Sequence, residues 1–448
     1  MSAPAEVRVA GDLRQPERYE AAIASLFARR PERMVPGLAR IRSLCRGLGD
    51  PQTAYEVVHL TGTNGKTSTA RMVSSLLVEH GRRVGTYTSP HLQDVRERIR
   101  IDGVPIESWR FAEALARVEG QIPASEAELG EMVTFFEALT GVGAVSFRDA
   151  GVDVGVIEVG MGGRQDATNV HDAEVAVIGT VALDHPELGA TIAEVAAEKA
   201  GIIADGAVVV VGPQTADADR IIAGQARARG ARIRRSGSAF GVVVRQPVPG
   251  GQDLVLRVGR ERFAVHLPLV GEHQADNAAC ALAAVDALLA DRGGLRAESV
   301  VAGFARVVSP GRLESFGRGE RAPVVLDGAH NPAGARSLVA ALPEAFPGRG
   351  VVAVLGVLED KDVTGVVTAV LEFADHVVVT APPVARGLPA DTLAATVRRC
   401  GGRATVAGDV QAAITVASRL AGGSGVVVVT GSLYLVGAAR AVLGGGTE

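Results

Sequence analysis

The stretch "TGTNGKTST", residues 61–69, follows the apolar run Glu56–Leu60 and precedes a segment with helical spacing. Gly62 and Gly65 flank Thr63 and Asn64; Lys66 comes next, then Thr67, Ser68 and Thr69. Glycines permit a tight turn whose backbone N–H groups point at one spot, and the first turn of the following helix adds further donors. One cation and a row of hydroxyls complete a cradle for a polyphosphate. Lys66 would stand by the β and γ phosphates, with Thr67 or Ser68 directed at Mg2+. Leu60 occupies the place of the first glycine in the general loop, so the loop is a variant form.

Outward from this loop, short Val/Ile-rich runs alternate with helical segments, the pattern of a parallel α/β sheet. Strands are expected at Glu56–Leu60, Arg83–Thr88, Val152–Val159, Glu174–Val181 and Ala207–Gly212. A helix should run from Lys66 to about His80 and stop at Gly81. "FGVVV", "LVLRV" and "FAVHL" between Phe240 and Leu267 read as antiparallel strands. Near 307–319 Gly and Pro concentrate and periodicity is lost. A second α/β region follows, with strands at Pro323–Asp327, Val351–Gly356, His376–Ala381, Ala404–Val406 and Gly425–Thr430. The expected class is therefore α/β. Residues 1–306 form a mostly parallel sheet domain of phosphate-loop type with a small antiparallel section, and 307–448 form a smaller, Rossmann-like domain.

A chain of 448 residues is too long for one ordinary core, which agrees with two domains. A net charge of −4 argues against nucleic acid or an anionic membrane as the main partner, and 4% aromatic residues disfavour base-stacking platforms. Three scattered cysteines, Cys45, Cys280 and Cys400, suggest neither a disulfide framework nor a metal cluster. No run of about 18 apolar residues and no signal peptide is legible, so a cytoplasmic protein, provisionally a monomer, is expected.

Three further polar clusters fall after expected strands: "TSPHL" (88–92), "EVGMGGRQDATN" (158–169) and "LDH" (183–185). Ligands of parallel α/β sheets bind outside the carboxyl ends of the strands, so these join the phosphate loop on one edge. Glu158 with Ser89 and His185 could complete a Mg2+ shell. Singly they read as a surface glutamate, a solvated loop serine and a capping histidine; their convergence after a phosphate loop favours the metal. Lys199 is a separate oddity. Thr191 and Glu194 form a capping box, which places Ile192, Val195 and Lys199 on one helix face. A lysine on an apolar face is costly unless its head is paired, neutralised or reaches water.

Taken in order with "GEHQADNAACALAA", "SPGRLE" and "DGAHNP", these segments resemble the folylpolyglutamate synthase and dihydrofolate synthase family, of the Mur ligase superfamily. The likeness runs from about residue 34 to the C-terminus. It implies an ATP-dependent ligase: ATP phosphorylates the carboxylate of dihydropteroate or of a folate's terminal glutamate, and the amine of L-glutamate displaces the phosphate. By that resemblance Asn64, Gly65, Lys66, Thr67 and Ser68 hold the triphosphate. Thr67, Ser89, Glu158 and His185 serve Mg2+. Asn277, Arg312, Asp327 and His330 close on the nucleotide. Pro36, Gly37, Arg40, Phe135, Phe136, Glu137, Gly163, Arg164 and Gln165 supply the pterin site. Lys199 matches the family lysine that carries a carbamate and helps to hold a second Mg2+. Three departures stand out: Thr67 where relatives often have glycine, only Pro186 and Glu187 between His185 and "LG", and Gln165 in place of an apolar residue.

Two other readings compete. A Mur ligase acting on UDP-linked cell-wall precursors needs a sugar-nucleotide domain ahead of the loop, whereas the 60 residues here read as about two helices. A nucleotide-binding paralogue without activity would not need Lys66, Glu158, Lys199, Arg312 and Asp327 all intact.

Overall fold

The computed structural model describes residues 15–29, 35–183, 186–317 and 322–444. An eight-stranded sheet is built from β1 (Glu56–Thr61), β2 (Val84–Tyr87), β3 (Ile99–Ile101), β4 (Val104–Pro105), β5 (Val154–Glu158), β6 (Val175–Ile178), β7 (Val208–Val211) and β8 (Arg232–Arg235). Their order is β4-β3-β2-β5-β1-β6-β7-β8. From β2 to β8 the neighbours pair in parallel, while β3 and β4 are antiparallel. Both faces of β1 are buried, which is why its sequence is a continuous run and not an alternating one.

Val57 faces a core shared with α1 (Gln15–Ala28), α2 (Ala39–Gly47), α4 (Ser108–Leu129) and α5 (Phe135–Ala150). Val58 and Leu60 face the opposite core. That one is filled by α3 (Lys66–Glu79), α8 (Glu272–Leu289) and α9 (Ala297–Ala305), and by an antiparallel sheet of β9 (Phe240–Val248), β10 (Gly251–Val258) and β11 (Glu261–Leu267). Two further helices, α6 (Ile192–Lys199) and α7 (Ala216–Ala228), cover the β6–β7 end.

A six-stranded sheet follows, of β12 (Glu314–Phe316), β13 (Val324–Leu326), β14 (Val351–Leu355), β15 (His376–Val379), β16 (Ala404–Val406) and β17 (Val426–Thr430), ordered β12-β13-β17-β14-β15-β16. Only β12 runs antiparallel to its neighbour. The α/β class expected from sequence is the observed one. Four strands went unread: β3, β4, β8 and β12. All are short and lie toward sheet edges, where charged side chains such as those of "RIRR" in β8 replace the apolar run. Among the described residues no helix is long and apolar enough to cross a membrane.

Helix α3, which starts at the phosphate-type loop, is held from outside by α9. A Cβ on buried Gly303 would lie 2.9 Å from Leu76 Cδ2 and 3.0 Å from its Cα, so the helices approach at backbone distance. Ser75 Oγ donates to the Gly303 carbonyl at 2.7 Å in the same contact. Gly303→Ala should push α9 off α3 and destabilise the protein by about 1–3 kcal/mol, the scale of overpacking. Urea denaturation of the two proteins checks this; an unchanged midpoint would show that the helices part without cost.

Candidate active site

The strands of the first sheet deliver their polar ends to one edge. Gly65, at φ +78, caps α3 in a left-handed conformation. A Cβ there would also fall 2.5 Å from Asn277 Oδ1 of α8, so glycine answers two constraints at once. Thr63 ties the loop to the end of β6: its N–H donates to Thr180 O at 2.9 Å and its Oγ1 to Ala182 O at 2.9 Å. Lys66 folds back over the loop, donating to Gly62 O at 3.0 Å and Thr63 O at 3.3 Å.

Glu158 ends β5 in a fully buried position. Thr67 Oγ1 donates to its two oxygens at 2.9 and 3.0 Å, and the Ser89 N–H donates to Oε2 at 3.1 Å. Burial raises the Glu158 pKa above the ordinary carboxylate value; Lys66, these hydrogen bonds and Arg312 pull the other way. The loop bearing Ser89 is itself held by Glu97, whose carboxylate accepts from the N–H groups of Leu92, Gln93 and Asp94 at 2.8–2.9 Å. Sequence reading missed Glu97. Its signal was the Asp94–Glu97 capping box.

Lys199 is 3% exposed, so its head does not reach water. The capping box of Thr191 and Glu194 is present, and Lys199 Nζ donates to Gly62 O at 3.0 Å, the same oxygen that accepts from Lys66. His185 lies outside the described residues.

The second sheet contributes from the other side. Asp327 follows β13 and accepts from the N–H groups of Leu313 at 3.0 Å and Ala329 at 2.9 Å. Its pKa is raised by burial against the nearby Arg312 charge. Arg312 passes over Gly328, where a Cβ would sit 2.2 Å from its Nη1. His330 Nδ1 lies 2.8 Å from Gly328 O. The two halves touch directly: Asn64 and Asn331 exchange amide hydrogen bonds at 3.3 and 3.2 Å, and Ser68 Oγ lies 3.2 Å from Ser309 Oγ. Asn331, which also caps α10 (Pro332–Ala345), and buried Gln274, which reaches Ser68 at 3.4 Å, were not singled out from sequence. "HNP", an Asn just before a helix-starting Pro, carried the first signal.

Two adjoining cavities of about 230 and about 180 Å³ flank this junction. Asn64, Gly65, Arg312 and His330 line both. Lys66, Thr67, Ser89, Glu158 and Lys199 line the larger one, and Ser68, Asn277 and Asp327 the smaller. Burial, reinforced by Arg312 and Arg245, lowers the pKa of His273 in the smaller cavity to about 4, so its ring is neutral at pH 7.

The residues assigned to a pterin do not line either cavity. Arg40 is buried and donates to Glu137 at 2.9 and 3.1 Å, to Val35 O at 2.7 Å and to Glu131. Pro36 is exposed and Gly37 half-buried beside it. Phe135 stacks on Phe27 at 5.4 Å under the Arg98 guanidinium, and Phe136 packs beside Tyr87. Gly163 lies against the Glu198 and Lys199 carbonyls, with Arg164 and Gln165 exposed at the same turn.

Family models match twice: "Mur ligase middle domain" over residues 121–285 and "Mur ligase, glutamate ligase domain" over 311–433. The chain is 44% identical to the dihydrofolate synthase/folylpolyglutamate synthase of Mycobacterium tuberculosis, over 94% of this chain and 92% of that protein. The chain belongs to the folylpolyglutamate synthase/dihydrofolate synthase family. The Escherichia coli dihydrofolate synthase/folylpolyglutamate synthase is 34% identical over 73% of this chain and 74% of its own. Among solved structures, M. tuberculosis folylpolyglutamate synthase complexed with ADP superposes with a TM-score of 0.92 at 40% identity, covering 97% of this chain and all of that one. E. coli FolC in complex with DHPP and ADP gives 0.85 at 30% identity, over 95% and 97%.

For this family member the loop geometry makes a direct prediction. Gly65→Ala adds roughly 1–2 kcal/mol of left-handed strain and displaces Asn277. Calorimetric ADP binding should weaken at least tenfold while the circular dichroism spectrum holds; unaltered affinity would separate the loop from the nucleotide.

Proposed function

We propose that the two cavities are one reaction site. The chain is an ATP-dependent folate glutamate ligase, and the observation that carries the site assignment is the meeting of Lys66, Glu158 and Arg312 at a junction of two sheets. Residues 1–306 form the ATP-binding domain with the pterin site and 307–448 the ligase domain; the limits of the two family matches support this division.

Asn64 to Ser68 bind the triphosphate, with Lys66 turning from its own loop carbonyls to the β and γ oxygens. Asn277, Arg312, Asp327 and His330 hold the nucleotide from the smaller cavity. The Glu158 carboxylate and the Thr67 hydroxyl that donates to it are hard oxygens, which suits Mg2+; Ser89, whose backbone N–H donates to the same carboxylate, and His185 are assigned with them. Mg2+ is commonly held by one or two carboxylates together with substrate phosphates and water, the arrangement assigned here. Bound there, Mg2+ neutralises phosphate charge.

Positioning and charge neutralisation are what phosphoryl transfer asks of a protein, so no nucleophilic side chain is required. The acid substrate, dihydropteroate or a folate, takes the γ-phosphoryl group on its carboxylate. L-glutamate's amine then attacks the acyl carbon, and phosphate leaves. The pterin end is assigned to the region of Pro36, Gly37, Arg40, Phe135, Phe136, Glu137 and Gly163–Gln165. Small-molecule substrates, a cytoplasmic setting and a monomer complete the reading.

Lys199 is assigned a carbamate that helps to hold a second Mg2+. Its support is geometric: as an ammonium it would crowd Lys66 at one carbonyl oxygen in a buried place. Reaction of the neutral amine with CO2 replaces that charge by an oxygen-bearing anion.

Two tests follow from this reading. Phosphate release should require ATP, Mg2+, L-glutamate and a pterin acid together, and Lys66→Ala should lower kcat by roughly 10²–10³-fold with folding retained; turnover only with a UDP-linked acid would sink it. Stripping bicarbonate at mildly acidic pH should reduce activity reversibly, and Lys199→Ala should be nearly inactive; indifference to bicarbonate, with a bare lysine in a high-resolution map, would refute the carbamate alone.

A further inference from the structure

Behind the wall of the larger cavity lies a cluster of buried polar groups that the assignments above leave unused. Asp166 caps the short 3-10 helix Ala167–Val170 and is buried. A cap needs one acceptor, and an uncharged serine supplies it. Here a whole carboxylate is buried, and every donor that meets it among the described residues is uncharged. Thr168 donates to Oδ1 through its N–H at 3.0 Å and its hydroxyl at 2.5 Å. Met161 N–H donates to Oδ2 at 2.9 Å, and the Gly160 N–H faces the same carboxylate. Burial raises the Asp166 pKa despite these bonds.

Two histidines back Thr168. Burial lowers the pKa of His59 to about 3 and that of His171 to about 4, so both rings are neutral at pH 7. Because the Thr168 hydroxyl proton is directed at Asp166, its oxygen accepts from His59 Nε2–H at 2.9 Å. His171 holds the opposite tautomer: its Nδ1–H donates to Thr168 O at 2.8 Å, and its Nε2 accepts from the Tyr55 hydroxyl 3.2 Å away. With Nε2 protonated, His59 Nδ1 is a bare, buried acceptor without a partner among the described residues. That arrangement costs free energy that an apolar side chain at position 59 would not, so packing alone does not account for it.

The carboxylate that these groups orient acts on one stretch of backbone. Gly160, Met161 and Gly162 follow Glu158 and line the larger cavity. A Cβ at Gly160 would fall 2.5 Å from Phe136 Cζ and 3.0 Å from Asp166 Oδ2, so this backbone is wedged between an aromatic assigned to the pterin and the carboxylate. Thr61 Oγ1 donates to Gly162 O at 2.7 Å and fixes the far end. Resting on the ligase reading, we propose that His59 and Thr168 are positioning residues for the acid substrate: through Asp166 they set the Gly160–Met161 backbone, the partition between Phe136 and the phosphate-binding side. The acid has to pass that partition, with its pterin on one side and its carboxylate at the γ-phosphoryl group on the other. Phosphoryl transfer depends on that alignment, and a shift of about 1 Å can cost on the order of 100-fold. Neither His59 nor Thr168 lines a cavity, so both act through the carboxylate alone.

The test compares Thr168→Val, Thr168→Ser, His59→Leu and His59→Gln with the wild type, by steady-state kinetics and by calorimetric binding of dihydropteroate in the presence of ADP. Thr168→Val removes the hydroxyl at nearly constant volume. It should weaken dihydropteroate binding and lower kcat/KM for that acid roughly 10- to 100-fold, with KM for ATP and affinity for ADP within about twofold of wild type. His59→Leu, which leaves Thr168 without its donor, should lose a smaller factor in the same direction. Thr168→Ser keeps the hydroxyl and His59→Gln keeps an N–H donor, so both should recover most of the loss, which a packing role would not produce. Unchanged kcat/KM in both Thr168→Val and His59→Leu overturns the assignment, whatever their thermal midpoints. So does an equal loss in Thr168→Ser, or an equal fall in ADP affinity, which would mark general disruption of the sheet edge. Where Thr168→Val does not fold, the two His59 variants decide. Wild-type protein inert with dihydropteroate and with tetrahydrofolate overturns the ligase reading and this assignment together, and is seen before any substitution is made.

Discussion

The carboxylate of Glu158 is where three separated segments of chain meet, and the geometry of the edge depends on it. A buried carboxylate is costly unless hydrogen-bonded and faced by positive charge. Here the hydroxyl of Thr67, the amide of Ser89 and the charges of Lys66 and Arg312 supply that environment. These groups come from three segments: Lys66 and Thr67 from the start of α3, Ser89 from the turn after β2, and Arg312 from the segment before β12. Satisfying one carboxylate therefore fixes the phosphate-type loop against β5, draws in the turn after β2, and makes the second sheet's arginine electrostatically useful to the first. Burial still wins over these terms, since the net shift of Glu158 is upward. A further cation beside the carboxylate would oppose that burial and favour the ionised form.

The carbonyl of Gly62 poses the complementary problem. It accepts from Lys66 and from Lys199, so two amino groups share one acceptor inside the protein. Like charges so placed repel strongly in a medium of low dielectric. A polyanion arriving at the loop would draw Lys66 away, and the carbamate proposed at Lys199 would replace the second positive charge. Both remedies lower the same energy, and they are compatible. The first is the cofactor's arrival; the second is a covalent change at a lysine that the capping box of α6 turns inward.

Much of this was legible in the chain. β1 and α3 announce themselves because a doubly covered strand is continuously apolar and because Gly62 and Gly65 mark a tight turn directly before helical spacing. The apolar helix face of Lys199 followed from Thr191, Glu194 and a spacing of four from Val195, while its burial away from water came only from the structure. What was not legible is pairing across long separations. Arg40 spends its charge on Glu137, 97 residues away, and Lys199 finds an oxygen 137 residues away. Neither partner is marked by local pattern. Edge strands were missed for a related reason: β8 reads "RIRR" because it needs to repel a further strand, not to fill a core.

A ligase of this kind must keep an activated acid from water until an amine arrives, and one sheet cannot do so alone. The first sheet carries phosphate-binding backbone and a buried carboxylate; the second brings Arg312, Asp327 and His330. Their contacts at the junction include a hydrogen bond from Arg440 Nη1 to Gln93 Oε1 at 2.6 Å, reciprocal amides between Asn64 and Asn331, and a hydroxyl pair between Ser68 and Ser309. Neutral contacts of this sort are worth only about 1 kcal/mol each, so they can be exchanged without large barriers. A charged pair joining the halves, Arg245 with Glu344, lies at β9 and α10. Weak neutral contacts thus sit beside the phosphate-type loop, and contacts made by charged side chains sit at α10 and at Arg440. A junction built that way can open at the loop while remaining registered at its flank, which is the motion that admitting a nucleotide and then an amino acid demands.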